Sequence, residues 1–250
     1  MPLRFAVVGD PVSHSRSPAI HREALRLAGL DGEYVALRVP RFGFDIVAKD
    51  LRTGALDGVN VTMPLKGEAF EAAEMLTAEA ERSASVNTLR MNDGRLEGHS
   101  TDVVAFRQVF GRAPEGAPLL VLGAGGSARA AVAAWSRDGV HVSARAPGRA
   151  TVVGAAVPWG EGLPGAVVVN ATPLGMAGEE LPESVLAEAS FLVDLPYGSA
   201  PTPAVVAARA AGLGHVDGIE FLAIQGAASF RWWTGVAVDL DRLIEVARNA

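Results

Sequence analysis

An α/β chain folded as two domains, with its last helices returning to the first, is what this sequence predicts, and three observations predict it. Short β-rich runs alternate with helical patterns from end to end, the signature of α/β architecture with largely parallel sheets. A second such series begins at Leu119, so two α/β units fit better than one. At 250 residues, 49% of them hydrophobic and 20% charged, the chain carries enough apolar material for substantial cores.

The elements follow from local pattern. Leu3 to Val8 is an apolar strand that breaks at Gly9-Asp10-Pro11. Ser17-Pro18 opens a helix in which Ile20, Ala24, Leu27 and Ala28 recur at helical spacing, and Gly29 closes it. Tyr34 to Val39, Val59 to Thr62 and Val86 to Met91 are the remaining strands of the first hundred residues, and Asn92-Asp93-Gly94 reads as a tight hairpin turn. The second series opens with Leu119 to Leu122, a glycine-rich turn and an alanine-rich helix. Strands follow near Val140 to Ala144, Ala166 to Val169 and Phe191 to Asp194. Between them, Thr151 to Pro164 holds two prolines, three glycines and little periodicity, so a helix there is expected to be shortened. Phe221 to Trp233 is amphipathic through Phe221, Leu222, Ile224 and Phe230, and Asp239 to Arg248 forms the last helix. Trp232 and Trp233 fit either a core or an interface patch.

Composition excludes several classes of function. The formal charge of −6 leaves no clustered positive excess for a general nucleic-acid binder, so a small-molecule partner is expected. The absence of cysteine removes disulfides, thiolate metal sites and cysteine nucleophiles. The N-terminal apolar run is too short for a signal peptide, and no stretch approaches the ~20 apolar residues of a membrane span. A cytoplasmic protein, monomeric or homodimeric, is the expectation.

Three segments carry chemistry. Asn60-Val61-Thr62-Met63-Pro64-Leu65-Lys66 puts an amide, a hydroxyl and an ammonium group at the end of an apolar strand. Asn60 and Thr62 share a face by strand alternation, and Pro64 ends the strand so that Lys66 leaves the turn. In His14-Ser15-Arg16-Ser17-Pro18, Ser17 is the natural N-cap, and Ser15 and Ser17 stand where free helix amides attract an anion. Finally, Gly123-Ala124-Gly125-Gly126-Ser127-Ala128 follows a strand and opens a helix, as a dinucleotide-binding turn does. Gly123 allows the tight turn, Gly125 admits a pyrophosphate to the backbone, and Ala128 lets the helix pack closely.

The next strand decides between dinucleotides. An NAD site places a carboxylate about 20 residues on, to bind the ribose diol. Here that place reads Ser143-Ala144-Arg145-Ala146-Pro147-Gly148-Arg149, with no carboxylate and two guanidinium groups able to grip a 2′-phosphate. The expected cofactor is NADP.

The full set comprises the His14 to Pro18 and Asn60 to Lys66 segments, Ser85-Val86-Asn87-Thr88, Ser100-Thr101-Asp102, the glycine turn, Asn170-Ala171-Thr172-Pro173-Leu174-Gly175-Met176, and Asp217-Gly218 with Gln225. In this order it resembles the shikimate dehydrogenase family over nearly the whole chain. The resemblance implies an N-terminal α/β substrate domain with a mainly parallel sheet, made of residues 1–101 and 221–250. It also implies a Rossmann-like NADP-binding domain over 102–220. The reaction implied is the reversible NADPH-dependent reduction of 3-dehydroshikimate to shikimate, on the route to aromatic amino acids.

By the same resemblance, Ser15 and Ser17 bind the substrate carboxylate, Thr62, Asn87 and Asp102 bind ring hydroxyls, and Lys66 is the catalytic lysine. Tyr197 and Gln225 match further substrate contacts. Gly123, Ala124, Gly125, Gly126, Ser127, Arg145 and Arg149 match the nucleotide site, and Leu195 and Gly218 match positions bordering the nicotinamide. The residue types suit the chemistry: the alkoxide that develops at a reduced ketone needs a proton and a positive charge, and Lys66 can supply both. Asp102 would orient it, and the two are read as a coupled acid/base pair with no sole base assigned. No metal is required, and the five histidines show no ligand spacing.

The chain departs from the family at several points. Ser100 stands where the family has Asn, Ser85 where it has Ala, and Ala144 and Ala146 replace polar residues beside the arginines. A quinate/shikimate dehydrogenase using NAD or NADP is the alternative of the same superfamily. A nucleotide-binding regulator without activity is the alternative of another class, disfavoured because Lys66 and Asp102 are both present.

Overall fold

The computed structural model describes residues 2–145 and 154–250. The chain divides into two compact units, Met1–Val104 with Leu222–Ala250, and Ala105–Phe221.

In the first unit, β1 (Leu3–Gly9), α1 (Ser17–Ala28), β2 (Gly32–Arg38), α2 (Phe44–Arg52), β3 (Gly58–Val61) and α3 (Lys66–Ala72) alternate. Two short elements follow, β4 (Met75–Leu76) and α4 (Ala78–Ser83), and then the hairpin of β5 (Thr88–Asn92) and β6 (Arg95–His99). The sheet order is β2-β1-β3-β5-β6-β4. The β1–β2, β1–β3 and β4–β6 pairings are parallel, while β5 runs antiparallel to both of its neighbours. The expected hairpin turn is present, with Asp93 and Gly94 both at positive φ, as a tight two-residue connection requires.

Strand alternation gives this sheet two different faces. Ala6, Val8, Val59, Val61 and Leu89 point toward α2, whose Phe44, Val47, Ala48 and Leu51 recur at helical spacing and complete one core. The other face carries Phe5, Tyr34, Asn60 and Thr88 and is covered from far along the chain. It meets α9 (Gly218–Thr234), which begins in the second unit and ends in the first, as α5 (Thr101–Phe110) passes the other way. Trp233 of α9 stacks on Phe5 with ring centroids 4.6 Å apart and donates its indole N–H to the Leu89 carbonyl at 3.0 Å. Trp232 lies against the Arg90 guanidinium, 4.1 Å from the ring centre. Both tryptophans are therefore packing residues of the first unit. The last helix, α10 (Leu240–Arg248), is tied to α1 by Arg242 to Glu23 at 2.7 Å and by Arg16 to the Ala247 carbonyl at 2.8 Å.

The second unit consists of β7 (Leu119–Leu122), α6 (Gly126–Ala134), β8 (Val140–Ser143), β9 (Ala155–Val157), β10 (Ala166–Asn170), α7 (Glu183–Ala187), β11 (Ala189–Asp194), α8 (Pro203–Ala210) and β12 (Gly214–Val216). Its sheet runs β12-β11-β10-β7-β8-β9 with every pairing parallel. This is a doubly wound order whose direction reverses between β7 and β10, where such folds bind ligands. Strands covered on both sides are continuously apolar, as in Leu119-Leu120-Val121-Leu122 and Ala166-Val167-Val168-Val169, all fully buried. Among the described residues no helix is long and apolar enough to cross a membrane.

Candidate active site

In the first unit, the register brings the chemistry-bearing segments to one end of the sheet. β1 and β3 run parallel, so the Ser15–Ser17 loop and Thr62 both follow C-terminal strand ends, and the Thr62 N–H bonds the Val8 carbonyl at 2.9 Å. β5 is antiparallel to β3 and β6 to β5, so Asn87 just before β5 and Asp102 just after β6 reach that same end. Gly9 has to be glycine here: a Cβ would lie 2.4 Å from the Thr62 methyl and 2.8 Å from the Met63 carbonyl oxygen.

Lys66 is the first residue of α3, and its Nζ lies 2.5 Å from Asp102 Oδ2. The other carboxylate oxygen accepts from Asn87 Nδ2 at 2.8 Å. The same amide nitrogen stands 3.3 Å from Gln225 Oε1, while Gln225 Nε2 is engaged by the Leu222 carbonyl at 3.0 Å. Asp102 is nearly enclosed, with 6% of its side chain exposed against 15% for Lys66. A carboxylate so buried needs paired donors, and an ammonium and an amide provide them.

Two expectations about this unit are corrected. Ser17 does not cap α1: Arg16 holds the cap position with no side-chain cap bond, and Ser17 lies inside the helix, buried, with its N–H bonded to Ser15 Oγ at 3.3 Å. The loop is a local serine turn, which satisfies the amide that a cap would otherwise serve. Asn60 does not stand with Thr62 at a mouth. The strand ends at Val61, Thr62 is half-buried beyond it, and Asn60 is enclosed beneath α9, bonded to Tyr34, Thr88 and Ser229.

Two further buried hydroxyls sit where the chain departs from the family pattern. Neither Ser85 Oγ nor Ser100 Oγ has a hydrogen-bond partner among the described residues.

In the second unit the named positions cluster at the C-terminal ends of the parallel strands. Gly123 follows β7 with φ 111°, and a Cβ on it would meet the Ala171 carbonyl oxygen at 2.9 Å, so only glycine fits. Ala124 and Gly125 complete the turn, Gly126 and Ser127 open α6, and a Cβ on Gly125 would meet nothing within 4 Å. That open, backbone-lined cradle at a helix N-terminus suits a pyrophosphate. Arg145 follows β8, is exposed, and lies over the Trp159 ring at 5.9 Å. Ala144 beside it is buried. The Glu179 carboxyl nearby is held below the ordinary range, first by its own N–H, then by those of Ala177 and Gly175, with Arg145 adding a smaller pull. Arg149, Ala146 and the first three residues of the Thr151–Pro164 span lie outside the described residues; over 154–164 that span, where a shortened helix is expected, forms β9 and turns.

Sequence reading assigned no role to the pair that organises the other loops of this unit. Asp194, at the end of β11 and fully buried, accepts from Asn170 Nδ2 at 2.7 Å and from the Thr202 hydroxyl. Burial pushes its carboxyl up, against those two hydrogen bonds. Asn170 in turn accepts from Thr172 at 2.7 Å and donates to the Leu174 carbonyl at 3.0 Å, which shapes the Asn170–Gly175 turn. Leu195 and Tyr197 follow Asp194 and are half-buried. Gly218 packs directly on that segment: a Cβ would lie 2.3 Å from the Leu195 carbonyl oxygen and 2.5 Å from that of Pro196.

Comparison with known proteins agrees with this geometry. Residues 7–89 match the family model for the shikimate dehydrogenase substrate binding domain. An NADP(+) shikimate dehydrogenase of Thermus thermophilus is 39% identical over 99% of this chain and 98% of its own length, and that of Bordetella avium is 36% identical over 98% and 95%. A crystal structure of the Thermus thermophilus enzyme in complex with NADP(H) and shikimate superposes with a TM-score of 0.90, covering 99% of each chain. Full-length identity at this level, together with the folds of both units, shows that the chain belongs to the shikimate dehydrogenase family.

Proposed function

We propose that this protein is an NADP-dependent shikimate dehydrogenase, reversibly reducing 3-dehydroshikimate to shikimate. The observation that carries the chemistry is the enclosed Lys66–Asp102 pair, with Asn87 holding the carboxylate from its other side. NADPH, when bound, supplies the hydride. Everything else falls to side chains of this chain.

In the direction of reduction, Lys66 presents a protonated Nζ, donates its proton to the ketone oxygen, and its positive charge stabilises the oxygen as negative charge develops. Asp102 orients that ammonium and accepts from a ring hydroxyl. Thr62, Asn87 and Gln225 are the remaining ring contacts, Ser15 and Ser17 receive the carboxylate, and Tyr197 is a further substrate contact. We assign the acid/base pair and most substrate contacts to the first unit, Met1–Val104 with Leu222–Ala250, and cofactor binding to the second, Ala105–Phe221. There the Gly123–Ser127 turn holds the pyrophosphate, Arg145 and Arg149 the 2′-phosphate, and Leu195 and Gly218 border the nicotinamide.

The test mixes purified protein with shikimate or quinate and NADP⁺ or NAD⁺, following reduced nicotinamide by absorbance. Turnover confined to shikimate with NADP⁺ supports the assignment, activity with quinate or NAD⁺ moves it to the broader dehydrogenase, and silence in all four mixtures overturns it. Lys66→Ala should lower kcat by about 100-fold or more while shikimate still binds, the range that removal of a general acid produces.

A further inference from the structure

We propose that the buried hydroxyls of Thr88, Thr101 and Ser229 form a positioning cluster that sets the direction of the Asn87 amide, and through it the Asp102 carboxylate facing Lys66. The proposal rests on the acid/base reading of Lys66 and Asp102.

The three hydroxyls come from β5, the start of α5, and α9, and all three residues are fully buried. They form a triangle, with Thr88 to Thr101 at 3.1 Å, Thr88 to Ser229 at 3.1 Å and Thr101 to Ser229 at 3.0 Å. Each hydroxyl has one proton to give, so the partners around the triangle decide where each proton points.

Asn60 lies on one side. Its Oδ1 accepts from the Tyr34 hydroxyl at 2.8 Å, and its Nδ2 faces Ser229 at 2.8 Å, Thr88 at 3.0 Å and the Asn87 carbonyl at 3.3 Å. That carbonyl tolerates only a donor, so the amide cannot be turned over. One of its two protons goes to that carbonyl and the other to Thr88 or Ser229. Ser229 donates to the Gln225 carbonyl at 3.0 Å, one turn back along α9, and the Thr88 hydroxyl stands 3.2 Å from Asn87 Oδ1.

Thr101 brings its N–H to that same oxygen at 2.8 Å and its hydroxyl within 3.1 Å of it. With two lone pairs, Oδ1 takes the Thr101 N–H and one of the two threonine hydroxyls, the other hydroxyl donating to Ser229, so Nδ2 faces the opposite way, toward Asp102 Oδ1 at 2.8 Å. Asp102 Oδ2 is then left for Lys66. From the Thr101 N–H through the Asn87 amide to Asp102 the bonds run in one direction, and buried bonds in such a chain polarise one another. Thr88, Thr101 and Ser229 are positioning residues: they act on the acid/base pair through Asn87 and through the helix that carries Gln225.

The test compares Thr101→Val, which keeps the branched shape and the backbone N–H, with Thr101→Ser, which restores the hydroxyl, and with Ser229→Ala, which removes a second corner. Steady-state rates with shikimate and NADP⁺ are normalised to active sites by cofactor titration, and the solvent deuterium isotope effect on kcat and the melting temperature are recorded. Thr101→Val should lower kcat per site about 10-fold, the scale of one buried hydrogen bond, with a raised solvent isotope effect and little change in KM. Thr101→Ser should recover most of that loss, and Ser229→Ala should reproduce part of it. Unchanged kcat per site and isotope effect in Thr101→Val and Ser229→Ala, whatever their melting temperatures, overturn the proposal. Lys66→Ala is measured alongside: if it retains turnover, the acid/base reading fails; if it is inactive while both hydroxyl variants match the parent, only the positioning role fails.

Discussion

Replacing His21 with Phe should flatten the acid side of the protein's stability profile. His21 lies on α1, fully buried, stacked on Tyr34 with ring centroids 4.2 Å apart and planes 1° from parallel. Neither ring nitrogen has a hydrogen-bond partner among the described residues. Burial pushes its pKa down from 6.5 to about 3, with the neighbouring Asn60 side chain opposing weakly. The unfolded chain takes up a proton on this imidazole as pH drops through 6.5, while the native protein cannot until pH nears 3. Stability is therefore lost as pH falls across that window, by about 1.4 kcal/mol per pH unit. Between pH 6.5 and 4.5 the single histidine accounts for about 2 kcal/mol. Phenylalanine keeps the stack on Tyr34 and removes the titration, so urea unfolding at a series of pH values should show the variant losing that much less than the parent. Other groups titrate in the same range, and taking the difference between the two proteins removes them. Parallel profiles for parent and variant would refute the reasoning, since they would mean that His21 takes up its proton equally well in the folded state.

Two further outcomes follow from individual contacts. Ser85→Ala removes a buried, unpartnered hydroxyl and should raise stability by about 1 kcal/mol in urea unfolding; a loss of stability instead would reveal a partner for that oxygen. Gly218→Ala places a methyl group 2.3 Å from the Leu195 carbonyl oxygen, so the Leu195–Tyr197 segment must shift. We expect a destabilisation of about 1–3 kcal/mol and weakened NADP⁺ binding by calorimetric titration, and parental values for both would show that this segment yields freely.

Much of the fold was legible in the sequence because the signals are local. The apolar runs of β1, β7 and β10, the Asp93-Gly94 turn and the glycine turn before α6 each reflect propensity and turn chemistry over a few residues. The spacing of Phe44, Val47, Ala48 and Leu51 would have revealed α2 as well, whereas β4, of two residues, has no pattern to read. Ser17 shows the limit of local rules: a good capping residue one position inside the helix cannot cap it, and the loop's own hydrogen bonding set that position.

Residue types alone determined that this chain carries a lysine, a carboxylate, two amides and a dinucleotide turn in a particular order, because chemistry-bearing side chains and backbone glycines are properties of the sequence. Only the tertiary structure decided which of them meet. Asn60 looked like a ligand at a strand end, but Ser229, 169 residues further on, closes over it and makes it part of the scaffold. At Gly58 a Cβ would lie 2.6 Å from the Trp233 indole nitrogen, so the helix that carries Gln225 packs only because that side chain is missing. Period and propensity act along the chain, whereas the direction of a buried amide is set by donors and acceptors that the sheet and a returning helix bring from distant segments.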